Sequence, residues 1–401
     1  MVRLSPSKGD IEQYKSSDMK KYFTLIVSVI IMICMGGVYA WSIFVEPLKK
    51  GYGLNTAQTQ IIFGLTIMMF TWAMIIAGRM EKRYNNRIIV LIGMSLFVSG
   101  YIIASFSKGS FPLILLGIGI LSGIGIGFNY LSAIVSPVKW FPNREGFITG
   151  LTVAGFGSGA ILLSNIVETL LKNGMDVLDI FRTIGLIYGL AIMLSLFFLY
   201  SPNTGENEEF SKISIRDLIK EKYLWSLFLG MFAGTFAGLI VVGNLKPIGL
   251  YAGVSRTRTT IAISLLALGN MSGRILWGYI SDRLNGEISI NSALSLLSAS
   301  TMGLLLANKS NDIIFLLLSF IIGIGFGANF VLFAKEVSRS NGTNNFGLIY
   351  PYIFLSYGLA GVLGPFIGGV LYDITGTYSL SIVVSSFICA TGILLYNYLR
   401  K

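Results

Sequence analysis

The chain of 401 residues has no histidine, only two cysteines and only 12% charged residues. Without histidine it lacks the one side chain whose unperturbed pKa lies near neutrality, and with it the commonest metal ligand. Cys34 and Cys389 both fall inside apolar runs, where a small buried hydrophobe is the expected reading. Two such residues make neither a disulfide framework nor a zinc spacing. No metal and no cofactor is therefore expected. The low charge also excludes an ordinary soluble domain, in which about a quarter of residues are charged.

Apolar residues make up 54% of the chain. A helix needs about 20 apolar residues to cross the hydrocarbon, and irregular backbone cannot be satisfied there. Twelve such stretches are present, at roughly 22–45, 57–78, 88–107, 111–135, 147–171, 180–200, 223–243, 259–280, 288–308, 312–334, 346–371 and 378–399. The chain reads as an all-α polytopic membrane protein. The first stretch is too long for a signal-peptide core and is counted as a helix.

A net charge of +11 would suit a nucleic-acid partner, but the basic residues are spread over alternate junctions and form no single patch. About 20 of the 30 Lys and Arg lie in the tails and even-numbered junctions and about 9 in the odd-numbered ones. Lys20, Lys21, Arg79, Lys82, Arg83 and Arg87 carry much of that bias. Both termini are thus expected in the cytoplasm of a plasma-membrane protein embedded in lipid. Residues 1–21 form a cytoplasmic tail, 22–200 a first six-helix bundle, 201–222 a cytoplasmic central loop and 223–401 a second bundle.

An internal repeat supports that division. GIGIGFNY from Gly123 returns as GIGFGANF from Gly323, keeping Gly123, Gly125, Gly127 and Asn129 at an offset of 200. GRMEKRYN from Gly78 returns as GYISDRLN from Gly278, and EPLKKGYG from Glu46 as KPIGLYAG from Lys246. Two pseudo-symmetric six-helix bundles with parallel repeats are the architecture of a transporter whose substrate site lies between them near the midplane. The glycine-rich stretches have no preceding strand or ribose-binding acid, so they are read as helix-packing faces and not as nucleotide loops.

WFPNREGFITGLTVAGFGSGA from Trp140 and GGVYAWSIF from Gly36 resemble the fifth- and first-helix signatures of the monocarboxylate and oxalate/formate carriers within the major facilitator superfamily. The twelve-helix pattern extends the resemblance over essentially the whole chain. GYISDRLNG resembles the superfamily's loop motif, in which an Asp anchors one half against the other. The resemblance implies gating roles for Asp282 and Arg283, with Arg83 at the matching place in the first half. There Lys82 stands in the Asp position and Glu81 falls one place early, so the first-half latch is not expected in its usual form.

Arg274 interrupts the eighth stretch, LLALGNMSGRILWGYISDR. An Arg near the centre of a membrane helix costs about 2.5–3.5 kcal/mol, so such residues face cavities and mark substrate paths. Asn270 lies one turn earlier on the same face. The planar guanidinium fork matches a carboxylate with two parallel hydrogen bonds, so a small organic anion is the expected ligand. The resemblance agrees, because those carriers bind substrate carboxylate through an Arg on the eighth helix. Around it Tyr39, Asn129, Tyr130, Phe330 and Tyr357 are the expected wall. Oxalate exchangers add a second cation roughly where this sequence has Tyr357, and one cation suits one carboxylate better than two.

No Asp, Glu or His lies well inside a stretch, so a dedicated proton relay is not evident. Arg itself stays protonated and cannot carry the proton. The expected function is secondary active transport of a monocarboxylate of the lactate/pyruvate class by alternating access, with a proton as a conceivable partner. Oxalate/formate-type exchange is the alternative within transport, and a non-transporting carboxylate receptor is the alternative of another class. No enzyme is expected, since no paired carboxylates or metal cluster are available for chemistry. A monomer is the expected functional unit.

Overall fold

A computed structural model of the chain describes residues 8–54, 56–201, 220–306 and 312–400. Twelve helices among them are long and apolar enough to cross a membrane. They are α1 (Lys8–Gly36), α2 (Thr56–Glu81), α3 (Asn86–Ser105), α4 (Phe111–Trp140), α5 (Glu145–Lys172) and α6 (Val177–Phe197) in the first half. The second half holds α7 (Lys222–Tyr251), α8 (Arg256–Arg283), α9 (Gly286–Gly303), α10 (Asp312–Asn341), α11 (Thr343–Thr375) and α12 (Ser379–Arg400). No strand occurs among the described residues. Most of the expected central loop, 202–219, lies outside them.

The repeat is visible in the local chemistry of the helix ends. Asn85 caps α3 by accepting from the Arg87 N–H, and Asn285 caps α9 by accepting from the Glu287 N–H. Each side chain satisfies one of the donors that a helix start leaves orphaned. Gly53 and Gly253 stand in the left-handed region just past a helix in each half, with φ of 71° and 80°, where a Cβ would be strained.

Two helices depart from the simple rods the sequence predicts. The first stretch is not one helix over 22–45. Its α-helix ends at Gly36, a 3₁₀ turn follows over Gly37–Ala40, and a separate helix runs over Ser42–Tyr52. Packing at the break is close: a Cβ on Gly36 would overlap the Phe156 carbonyl of α5. In α4, residues Leu115–Ser122 are π-wound. Other helices overrun their apolar stretches, and α10 continues seven residues past 334, to Asn341.

The two bundles meet along α5 against α8 and α2 against α11, with α10 touching α5 and α11 touching α4. Helices in lipid gain little from burying apolar surface against one another, so close backbone approach has to supply the attraction. Gly150 of α5 does this, lying against the Arg274 backbone where a Cβ would strike the carbonyl. The same contact brings α5 within reach of the Arg274 side chain.

Candidate functional site

Arg274 is fully buried, with 0% exposure. Its Nε donates to Asn270 Oδ1 at 2.8 Å, across one helical turn as the spacing predicts. Nη1 donates to the Val153 carbonyl of α5 in the opposite bundle. Nη2 is buried and has no hydrogen-bond partner. Among the described residues no carboxylate lies within ion-pair distance of the guanidinium. The positive charge is therefore held in place by neutral acceptors, and Nη2, which carries two N–H donors, is left unused.

Aromatic rings enclose it. The guanidinium carbon lies 4.5 Å from the Phe330 ring centroid and 6.0 Å from that of Phe156. Desolvated cation–π contacts of this kind contribute about 2 kcal/mol each. Tyr39 packs edge-on to Phe156, with centroids 5.3 Å apart, and Phe330 edge-on to Tyr357, 5.1 Å apart. The Tyr39 and Tyr357 hydroxyls share a short hydrogen bond that joins the first half to the second. Tyr130 closes another wall against Phe156 and Phe354.

Much of this wall follows the repeat. Phe70 and Asn270, and Tyr130 and Phe330, are mates at an offset of 200. Phe156 and Tyr357 are mates at 201, because the second half gains one residue before α11. Arg274 itself is mated to Met74, which is also fully buried. The cation is thus the asymmetric element in a pseudo-symmetric box.

The expected residues divide on inspection. Arg274, Asn270, Tyr39, Tyr130, Phe330 and Tyr357 come together as described. Asn129 does not join them. It points toward α3 and α1, donating to Met35 Sδ at 3.5 Å, with its Oδ1 beside Gly93. Successive helical residues diverge by about 100°, so when Tyr130 takes the central side Asn129 cannot. Val153, Phe156, Phe70 and Phe354 were missed. Phe156 was recoverable as the repeat mate of Tyr357, whereas a backbone carbonyl such as that of Val153 leaves no sequence signal.

At the face of the bundle that carries the termini, a carboxylate of α8 latches the halves together. Asp282 accepts from the Gly146 and Phe147 N–H groups, at 3.1 and 2.9 Å, in the first turn of α5. A carboxylate there satisfies orphaned donors and meets the positive end of the helix dipole. Lys335 of α10 completes the contact at 2.6 Å. In the first half Glu81 stands one place early and does not cap the opposing helix. It pairs within its own half with Lys139 of α4 at 2.7 Å and packs beside Gly347 of α11.

Two expected gating residues are corrected. Arg283 stacks on Tyr279 of its own helix, 4.2 Å from the ring centroid, and does not cross to the other half. Arg83 is exposed and makes no ion pair among the described residues. Both stand past the end of their helices' packed faces, and solvent takes the charge.

Among known proteins, the oxalate:formate antiporter of Oxalobacter formigenes is 26% identical over 380 residues, covering 92% of this chain and 89% of that one. Monocarboxylate transporter 11 of Homo sapiens is 21% identical over 361 residues, covering 87% and 76%. The transporter FucP, solved in an outward conformation, superposes with a TM-score of 0.70 at 14% identity, covering 94% of this chain and 98% of that one. The family model of the Major Facilitator Superfamily matches residues 26–351, and the chain belongs to that family of transporters.

Proposed function

We propose that the protein is a secondary carrier of a small monocarboxylate, of the lactate/pyruvate class, working by alternating access as a monomer. The observation that carries this reading is the unpaired Nη2 of Arg274, buried in an aromatic box with no carboxylate among the described residues to neutralise it. A buried charge without a partner is expensive, and a substrate carboxylate supplies both the missing charge and the missing acceptor. The Tyr39–Tyr357 hydroxyl bond, which joins the two halves beside the aromatic box, supports alternating access at this point. The excess of basic residues in the tails and even-numbered junctions supports a plasma-membrane orientation with both termini cytoplasmic.

Oxalate/formate exchange is the second reading, favoured by the similarity to the oxalate:formate antiporter. Against a dianion stands Tyr357, whose hydroxyl engages Tyr39 at the place where a second cation would be needed. The test is an uptake screen of labelled lactate, pyruvate, formate and oxalate in proteoliposomes, with and without an imposed pH gradient. Saturable uptake of a monoanion supports the first reading, oxalate exchange the second. Binding without exchange would indicate a receptor.

A further inference from the structure

We propose that the first bundle binds the head group of an anionic phospholipid at the terminus-bearing face, between Lys20 of α1 and Arg87 of α3, beside the ring of Tyr200. The site is separate from the aromatic box, and the proposal holds whichever substrate is carried.

Helices α1, α3 and α4 converge on Tyr200, just past the end of α6. Its N–H donates to the Thr24 hydroxyl of α1 at 3.1 Å, and its carbonyl accepts from Trp140 Nε1 of α4 at 3.0 Å. With its backbone held from two sides, the ring has a fixed place. Lys20 Nζ lies 5.8 Å from the ring centroid and Arg87 Cζ 5.3 Å. Two cations on different helices thus come to one ring. Like charges gathered there repel, and an anion shared between them replaces that repulsion with attraction.

Both cations keep donors for such an anion. Arg87 gives Nε to the Leu199 carbonyl at 2.7 Å and one N–H of Nη2 to the Phe197 carbonyl at 3.4 Å, which leaves three of its five N–H groups. The Lys20 ammonium makes no hydrogen bond or ion pair among the described residues. No carboxylate there lies within ion-pair distance of either cation. A phosphodiester offers oxygens to a guanidinium and an ammonium at once.

The repeat shows what this junction lacks. The mate of Arg87 is Glu287, which stands at the start of α9 as Arg87 stands at the start of α3. Glu287 pairs with Arg400 at the end of α12 at 3.2 Å. In the second half the chain supplies both signs itself. At the matching junction of the first half the described residues carry positive charge alone, and the anion is left to come from the surroundings.

The neighbouring side chains identify those surroundings as lipid. Phe23, next to Thr24, and Phe198, two residues before Tyr200, are 43% and 45% exposed, with ring centroids 5.5 Å apart. Tyr22 and Phe197 are exposed as well. Tyr and Trp gather at the level of the head groups, and Tyr22, Trp140 and Tyr200 mark that level here. Acyl chains can run along the exposed rings while the phosphate meets Lys20 and Arg87. A free phosphate would use the cations and leave the rings bare. Basic pockets between helix ends recognise anionic head groups in this way.

The test is native mass spectrometry of the detergent-released chain, titrated with dioleoyl phosphatidylglycerol or dioleoyl phosphatidylcholine. The wild type should bind its first phosphatidylglycerol severalfold more tightly than its first phosphatidylcholine. Lys20→Gln and Arg87→Gln should each weaken phosphatidylglycerol by about fivefold and leave phosphatidylcholine unchanged. Arg339→Gln removes an exposed cation at the end of α10 and should weaken neither lipid. Inorganic phosphate in excess, at matched ionic strength, should not displace the lipid.

Equal binding of the two lipids by the wild type would overturn the proposal; it is the outcome expected if the chain's own acidic run, Glu206, Glu208 and Glu209, neutralises the pair. An equal loss in all three variants would overturn it by reducing the effect to net charge. Displacement by inorganic phosphate would overturn the lipid assignment in favour of a free anion. Lys20 is exposed and touches the chain through the Tyr200 ring, so Lys20→Gln decides the matter even if Arg87→Gln, which loses two contacts to the end of α6, fails to fold.

Discussion

Replacing Arg274 with Met separates the energetics of the fold from those of the site. Met already occupies the mated position in the first half, Met74, in an equally buried setting. The substitution removes a charge whose placement costs about 2.5–3.5 kcal/mol. It also strands two acceptors, Asn270 Oδ1 and the Val153 carbonyl, each costing about 1–3 kcal/mol when left unsatisfied. The Val153 carbonyl keeps its helical hydrogen bond, so its loss falls at the low end. The two cation–π contacts, about 2 kcal/mol each, are lost as well, so the losses outweigh the cost removed and the variant should unfold at a lower temperature than the wild type. Substrate should also no longer raise its unfolding temperature, although a ligand at 100 times its Kd stabilises the wild type by about 2.7 kcal/mol. Thermal unfolding in detergent with and without each carboxylate measures both terms. A Met variant that substrate still stabilises would refute the assignment of the anchor.

Further outcomes follow from the same contacts. Asp282→Asn loses a charged helix cap and an ion pair, each charged hydrogen bond being worth about 1.5–3 kcal/mol, and should bias the carrier toward opening at the terminus-bearing face. Unchanged accessibility of a cysteine placed behind the latch would contradict this. Tyr357→Phe removes the hydroxyl bond across the halves, worth about 0.5–1.5 kcal/mol, and should change substrate affinity by about two- to tenfold without abolishing it. Gly150→Val forces α5 away from the Arg274 backbone and should abolish exchange while leaving each bundle folded, as trypsin resistance would report.

The fold was legible because lipid restricts the backbone to helices and because the repeat marks both halves. The anchor was legible for a related reason: a charge inside an apolar run is rare, and Asn270 stands one turn from it. What escaped depended on side-chain direction or length. Asn129 is expected in the wall with Tyr130, yet only Tyr130 takes the central side and Asn129 turns toward α3 and α1. Glu81 is legible as a displaced acid, but its pairing with Lys139 of its own half is a property of packed geometry. Glu336 fell past the apolar stretch ending at 334, and only the continuation of α10 to Asn341 buries it. Arg283 and Arg83 lie beside the acids Asp282 and Glu81 in sequence and outside their contacts in space.

The most direct test of the central claim is counterflow of labelled carboxylate in proteoliposomes, comparing the wild type with Arg274→Lys. An ammonium keeps the charge but cannot form the fork, so at least one charged hydrogen bond to substrate is lost. At about 1.5–3 kcal/mol this corresponds to about 10- to 150-fold weaker apparent affinity. The account predicts a transient overshoot of a small monocarboxylate in the wild type and that loss in the variant. No overshoot in the wild type, or wild-type affinity in Arg274→Lys, would contradict it.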